Sequence, residues 1–202
     1  MLLYVATTNQ YKIREFLQIR DEENLGALNI EPLPGLSTIL VPEERGDTFD
    51  ENASAKATHY SRFTSQAIVA EDSGLEVDSL DGLPGVRSAR FAGEGATDAQ
   101  NNALLLERLA KTANRRARYV SVIALAREGQ VLHLARGCVE GEILHHEHGT
   151  NGFGYDPLFF YPPFQRSFGQ LTASEKFQVG HRGNAVRSLF SWIGCNGGLT
   201  KP

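Results

Sequence analysis

The chain opens with a short apolar run, Leu2 to Ala6, bounded by polar residues, and this pattern predicts a buried strand. Thr7, Thr8 and Asn9 follow as cap residues, and Ile13, Phe16 and Leu17 recur at helical spacing, so a helix is expected directly after the strand. Further extended segments are predicted at Ile30 to Leu33 and Leu36 to Val41. Thr48-Phe49-Asp50-Glu51 has the form of a capping box and opens a second helix running towards Thr64. Ala67 to Ala70 reads as a short apolar strand that ends abruptly in Glu71-Asp72-Ser73-Gly74. A third helix begins near Thr97, with Gln100 three residues on and Leu104, Leu105, Leu106 and Leu109 along it. Arg118 to Ala126 and Val131 to Val139 flank Glu128-Gly129-Gln130 and predict a hairpin. A glycine-rich loop, Gly149 to Pro157, precedes an apolar strand at Leu158 to Tyr161. The last helix follows His181-Arg182-Gly183 and ends near Gly194.

Strands and helices alternate early and an antiparallel ribbon comes later, which predicts an α/β fold on a mixed sheet. No internal repeat, low-complexity tract or Gly/Ser/Pro-rich linker divides the sequence, so its 202 residues read as one domain. A net charge of −4 gives no basis for wrapping nucleic acid or docking on anionic lipid. An anionic substrate would need a local cluster of cations, or a metal. Cys138 and Cys195 are too few and too far apart for a disulfide scaffold or a zinc site, which suits a reducing compartment. No basic leader and no stretch of membrane-spanning length is evident, so a cytoplasmic protein is expected.

Ligand sites on α/β sheets gather at strand ends, and three polar clusters fall there: Thr7 to Lys12, Glu71 to Gly74, and Gly152 to Asp156. Thr7-Thr8-Asn9-Gln10-Tyr11-Lys12 combines a helix N-terminus with a full positive charge, the elements of an anion site; a capped helix with a solvated lysine is the plainer alternative. Adjacent acids at the end of a buried strand, Glu71 and Asp72, are costly unless paired or bound to a cation, and hard oxygen ligands suit Mg²⁺. A turn would explain the same residues equally well. Lys56 lies four residues after Asn52 on one face of the second helix, with alanines at 53, 55 and 57 permitting close packing. Phe153 and Tyr155 in the glycine-flexed loop could stack on a base, while Asp156 and Arg182 offer hydrogen bonds of opposite sense. His145-His146-Glu147-His148 has metal-ligand spacing, but an exposed connection is the better reading.

In this order the clusters resemble the inosine triphosphate pyrophosphatase, or Ham1-like, family. The resemblance runs through A-T-T-N-x-x-K at 6–12, F-x-E-N-A-x-x-K-A at 49–57 and E-D-S-G-L-x-V-D at 71–78. It continues through G-L-P-G-V-R-S-A-R-F-A-G at 82–93, G-F-G-Y-D-P at 152–157, E-K at 175–176 and H-R-G at 181–183. It implies a long central mixed sheet flanked by helices, two lobes with a nucleotide cleft between them, a homodimer and a Mg²⁺ cofactor. It implies that Thr7, Thr8, Asn9 and Lys12 cradle phosphates with help from Lys56. Asp72 would be the proton acceptor and a metal ligand, with Glu44 and Glu71 as further metal candidates and Ser73 touching substrate. Phe153, Gly154, Tyr155, Asp156, Lys176, His181 and Arg182 would form the base pocket. The activity implied is hydrolysis of deaminated purine triphosphates to monophosphate and pyrophosphate. Gly180 stands where the family commonly has serine, Phe177 where a polar residue is frequent, and Thr8 where glycine is common. A Maf-like pyrophosphatase acting on other nucleotides, and a non-catalytic nucleotide-binding module, are the rival readings. The acids that end the central strand, Glu71 and Asp72, are expected to face Lys12 and the amides of the first turn across a shared crevice.

Overall fold

The computed structural model describes residues 1–195; Gly197-Gly198, which fit no motif, lie outside the described residues. The apolar opening forms β1 (Leu2–Val5), and α1 (Gln10–Glu22) buries Ile13, Phe16 and Ile19 at three-residue spacing. After β2 (Asn29–Pro32), α2 (Phe49–Tyr60) starts on a complete capping box between Thr48 and Glu51. β3 (Ala67–Val77) leads to α3 (Asp98–Arg108), whose box joins Thr97 and Gln100. β4 (Arg116–Arg127) and β5 (Gln130–Ile143) flank Glu128 and Gly129, whose φ angles of 51° and 82° are both left-handed, as a tight two-residue hairpin turn requires. Then come β6 (Phe159–Tyr161), β7 (Arg166–Ser167), α4 (Ala173–Val179) and α5 (His181–Cys195).

The strands lie in the order β2-β1-β3-β4-β5-β6-β7 in one open sheet. β1 runs parallel to β2 and β3, while β6 is antiparallel to β5 and β7, so the sheet is mixed as expected.

Two expectations fail. Leu36 to Val41 is no strand: Gly35 adopts φ 70°, Leu36–Thr38 form a single 3₁₀ turn, and Leu40 and Val41 are left 84% and 70% exposed. The bend at Gly35, closed by the Thr38 hydroxyl donating to the Gly35 carbonyl, overrides the apolar pattern. Nor does β3 stop at Ala70. It continues through Glu71-Asp72-Ser73-Gly74 to Val77, because Leu75 and Val77 beyond them are fully buried and draw the polar residues into the sheet. The turn alternative for Asp72-Ser73-Gly74 is thereby excluded.

The fold divides into two compact units. The first comprises Met1–Asp72, Ser121–Gly137 and the chain from Arg182; the second comprises Ser73–Val120 and Cys138–His181. In the first, Phe16 of α1 meets Phe190 of α5 edge to face at 6.1 Å, while Tyr60 of α2 packs with Leu33 and Ile68. In the second, the core is built from Leu75, Leu105, Leu109, Tyr119, Phe159 and Phe168, with others around them.

Candidate active site

In the first unit the chain leaves β1 and caps α1 at once. Asn9 Oδ1 accepts from the Lys12 amide at 3.4 Å and Thr7 Oγ1 from the Asn9 amide at 3.1 Å. This places Lys12 in the first turn, where Nζ reaches Glu71 at 3.0 Å. Glu71 also receives Arg182 Nε on both oxygens, at 2.8 and 3.0 Å, and the Ser121 hydroxyl at 3.0 Å. Arg182 Nη1 lies 3.5 Å from Glu15. Burial alone would raise the Glu71 carboxyl, but the charges of Arg182 and Lys12 outweigh it and hold Glu71 well below the usual carboxylate range. A cavity of about 50 Å³ lies beside this group, lined by Val5, Thr7, Lys12, Phe16 and Val69 among others.

Successive residues of a strand point to opposite faces, so Asp72 turns away from Glu71 and towards α2. Lys56 Nζ donates to Asp72 Oδ1 at 2.8 Å and to Glu44 Oε1 at 2.9 Å, and Asn52 Nδ2 reaches Asp72 Oδ2 at 3.4 Å. Asn52 is itself fixed by accepting from the Gly46 amide at 2.8 Å. A side chain at Gly46 would collide, since its Cβ would fall 2.7 Å from Asn52 Oδ1. Burial pushes Asp72 above the ordinary carboxylate value, Lys56 opposes this, and Glu44 adds to it. Burial tends to lower Lys56, yet Asp72 and Glu44 together raise it, so the ammonium stays charged. Two carboxylates on one ammonium leave an excess of one negative charge when both are ionised. That donor set fits a hard divalent cation such as Mg²⁺, which takes one or two carboxylates together with substrate oxygens.

In the second unit Asp156 is 1% exposed and collects three donors: Lys176 Nζ, the Phe153 amide at 2.9 Å and the Tyr119 hydroxyl at 3.3 Å. Gly152 is required beneath it, with φ 79° and a would-be Cβ only 2.0 Å from Asp156 Oδ2. Phe153 remains 63% exposed with Lys176 Nζ 4.8 Å from its ring centroid. The Tyr119 ring stacks on His181 at 4.8 Å, and burial followed by the Asp156 charge pushes its hydroxyl well up. Tyr155 turns inward and donates to the Ser88 carbonyl at 2.8 Å.

The model of the Ham1 family matches residues 3–192. The chain is 47% identical over 193 residues to a dITP/XTP pyrophosphatase of Exiguobacterium sibiricum, covering 94% of this chain and 95% of that one. It is 44% identical over 200 residues to a dITP/XTP pyrophosphatase of Acidobacterium capsulatum, covering 95% and 97%. Among solved structures, the Staphylococcus aureus Ham1 protein superposes with a TM-score of 0.87 at 36% identity, covering 97% of this chain and all of that one. The chain belongs to the Ham1 family.

Within this Ham1 fold the residues predicted from sequence make the following pairings and fall in the two units as follows. Lys12 pairs with Glu71 instead of Asp72, and the pleat of β3 is the reason. Thr7, Thr8, Asn9, Lys12, Glu44, Lys56, Glu71, Asp72 and Arg182 belong to the first unit. Ser73, Phe153, Gly154, Tyr155, Asp156, Lys176 and His181 belong to the second. Arg182 donates to Glu71 through Nε and lies 3.5 Å from Glu15 through Nη1. Gly180 has a local cause, because a Cβ there would lie 2.5 Å from the Lys176 carbonyl oxygen. The Glu147 carboxylate accepts from Asn102 at 2.7 Å, and the His146 and His148 rings lie against each other. Sequence reasoning missed Tyr119, Ser121, Glu15, Asp98 and Asn102. The available signal was weak: Asn102 is a polar residue at a buried position of a leucine-rich helix.

Proposed function

We propose that this chain hydrolyses non-standard purine nucleoside triphosphates, such as ITP, dITP and XTP, to the nucleoside monophosphate and pyrophosphate, clearing them from the nucleotide pool. The observation that carries the reading is Asp72, a buried carboxylate raised above its ordinary value by burial and held by Lys56 and Asn52 beside Glu44. The names of the relatives at 44–47% identity support the same substrate class.

In the reaction, water oxygen forms a bond to the α-phosphorus and the bond from that phosphorus to the bridging oxygen breaks. Pyrophosphate departs with the electron pair, and Asp72 accepts the proton of the attacking water. Lys56 orients the Asp72 carboxylate and stabilises charge gathering on phosphate oxygens. Lys12 and the cap residues Thr7, Thr8 and Asn9 hold the phosphates, and Ser73 touches substrate. Asp72 and Glu44 would hold Mg²⁺, which when bound neutralises phosphate charge and acidifies water. Glu71, with both oxygens on cations, serves Lys12 and Arg182 in this scheme.

Phe153 offers an exposed aromatic ring to the base, with Lys176 Nζ over one face, while Gly154, Tyr155 and Asp156 frame the loop and His181 stacks on Tyr119. Arg182 supplies donors for the oxygen at purine position six, where adenine carries an amino group. A mismatch of that kind discriminates by ~10²-fold or more. By family resemblance the working form is a cytoplasmic homodimer.

The test is pyrophosphate release from inosine, xanthosine, adenosine and guanosine triphosphates, with and without Mg²⁺. The first two should exceed ATP in kcat/KM by about 100-fold, with Mg²⁺ required. Equal rates on all four would remove the selectivity. Release only from modified pyrimidine nucleotides would favour a Maf-like activity, and binding without release a non-catalytic module.

A further inference from the structure

Gly154 sits half-buried in the turn of the aromatic loop with φ 62°, and among the described residues nothing lies within 4 Å of a Cβ built on it. It is therefore glycine for its backbone conformation and not for lack of space, and such a residue is free to move unless something holds it. Gly152 is held by packing against Asp156; Gly154 has no such wall. Its restraint comes from α3. The Gly154 amide donates to Asp98 Oδ2 at 2.6 Å, and its carbonyl accepts from Asn102 Nδ2 at 3.2 Å. Both backbone polar groups of one residue are thus taken by side chains four apart on one helix face.

The start of α3 is set by the Thr97–Gln100 capping box, which fixes Asp98 in its first turn. Asn102 is 4% exposed and also donates to Glu147 at 2.7 Å, tying in the chain that leads to the loop. The loop is consequently pinned twice. Asp156 holds the Phe153 amide, and α3 holds both polar groups of the next residue.

We propose that Asp98 and Asn102 are specificity-positioning residues that clamp Gly154 and so fix the plane of Phe153 against Lys176. This deepens the reading that the Phe153–Asp156 loop meets the purine and rests on it. Neither residue need touch the nucleotide. The clamp reduces the entropy that the loop would otherwise lose when a base stacks on it, so it acts on binding and base choice and leaves the phosphate chemistry alone.

The experiment uses Asp98→Ala, which removes the acceptor, and Asp98→Asn, whose amide oxygen can still accept from Gly154. KM for ITP should rise about 5- to 10-fold in Asp98→Ala with kcat within about twofold, as one lost hydrogen bond implies. The ratio of kcat/KM for ITP over ATP should fall by a similar factor, and Asp98→Asn should restore both. Hydrogen exchange at the Gly154 amide, read on wild type and variants without nucleotide, should quicken about 5- to 10-fold in Asp98→Ala while β4 and β5 stay protected. An unchanged Gly154 exchange rate overturns the clamp whatever the kinetics show. Faster exchange with KM and the ITP/ATP ratio unchanged overturns its role in specificity. A wild-type chain that cleaves no ITP overturns the underlying reading instead, and the proposal with it, although the exchange result would still stand.

Discussion

Asp72 and Glu71 are neighbours in sequence with opposite electrostatic fates, and the pleat of one strand separates them. Asp72 is pushed up by burial, so the ionised form that can accept a proton fills only above the ordinary carboxylate range of about 4. The acid limb of kcat/KM should therefore lie above pH 4, and Lys56→Met, by deleting the charge that lowers Asp72, should move that limb further up. A pH–rate profile of both proteins checks this, and a limb that stays in place or moves down would contradict it. Asp72→Asn should lose about 10²- to 10³-fold in turnover while still binding nucleotide, as measured by single-turnover kinetics and equilibrium binding. Glu71 is the reverse case. Its folded pKa is depressed, so its stabilisation is present above the unfolded value of about 4.3 and is lost as pH falls below it. Glu71→Gln should cost about 3 kcal/mol at pH 7 by removing the anion shared by Lys12 and Arg182 and leaving Arg182 with Glu15 alone. Urea denaturation should show that difference shrinking as pH falls below about 4, and a difference independent of pH would contradict the assignment.

At the scale of elements, what was legible in the sequence was local. The capping boxes at Thr48–Glu51 and Thr97–Gln100 sit within four residues, and both formed where their spacing said. The hairpin at Glu128-Gly129 was equally local, though its strands run longer than the alternation suggested. β3 was misjudged because Glu71-Asp72-Ser73-Gly74 has poor strand propensity, and only burial of Leu75 and Val77 and pairing within the sheet carry it on. The Leu36 to Val41 segment failed in the other direction, its apolar character outweighed by the left-handed bend at Gly35. Because α2 carries both Asn52 and Lys56 to Asp72, its start should matter to chemistry as well as stability. Thr48→Ala, removing half of the box, should cost about 1 kcal/mol in urea unfolding with a measurable drop in kcat. Unchanged stability would show that the box contributes nothing to setting the helix.

For the molecule as a whole, the family and the sheet were readable because seven motifs keep their order along nearly the entire chain. Partnerships were not, since they join distant positions: Arg182 meets Glu71 across 111 residues, and Tyr119 looks like any core residue of a buried strand until its hydroxyl is seen at Asp156. Thr7, Asn9, Lys12 and Lys56 lie in the first unit and the aromatic loop in the second, and each unit has its own buried carboxylate, Asp72 in one and Asp156 in the other. In the proposed reaction, water aided by Asp72 attacks the α-phosphorus of a deaminated purine triphosphate. Hydrolysis of dITP in ¹⁸O-labelled water, with mass analysis of both products, tests it directly. The label should appear in the nucleoside monophosphate, with pyrophosphate unlabelled. Label in the pyrophosphate, or release of single phosphates in its place, would contradict it.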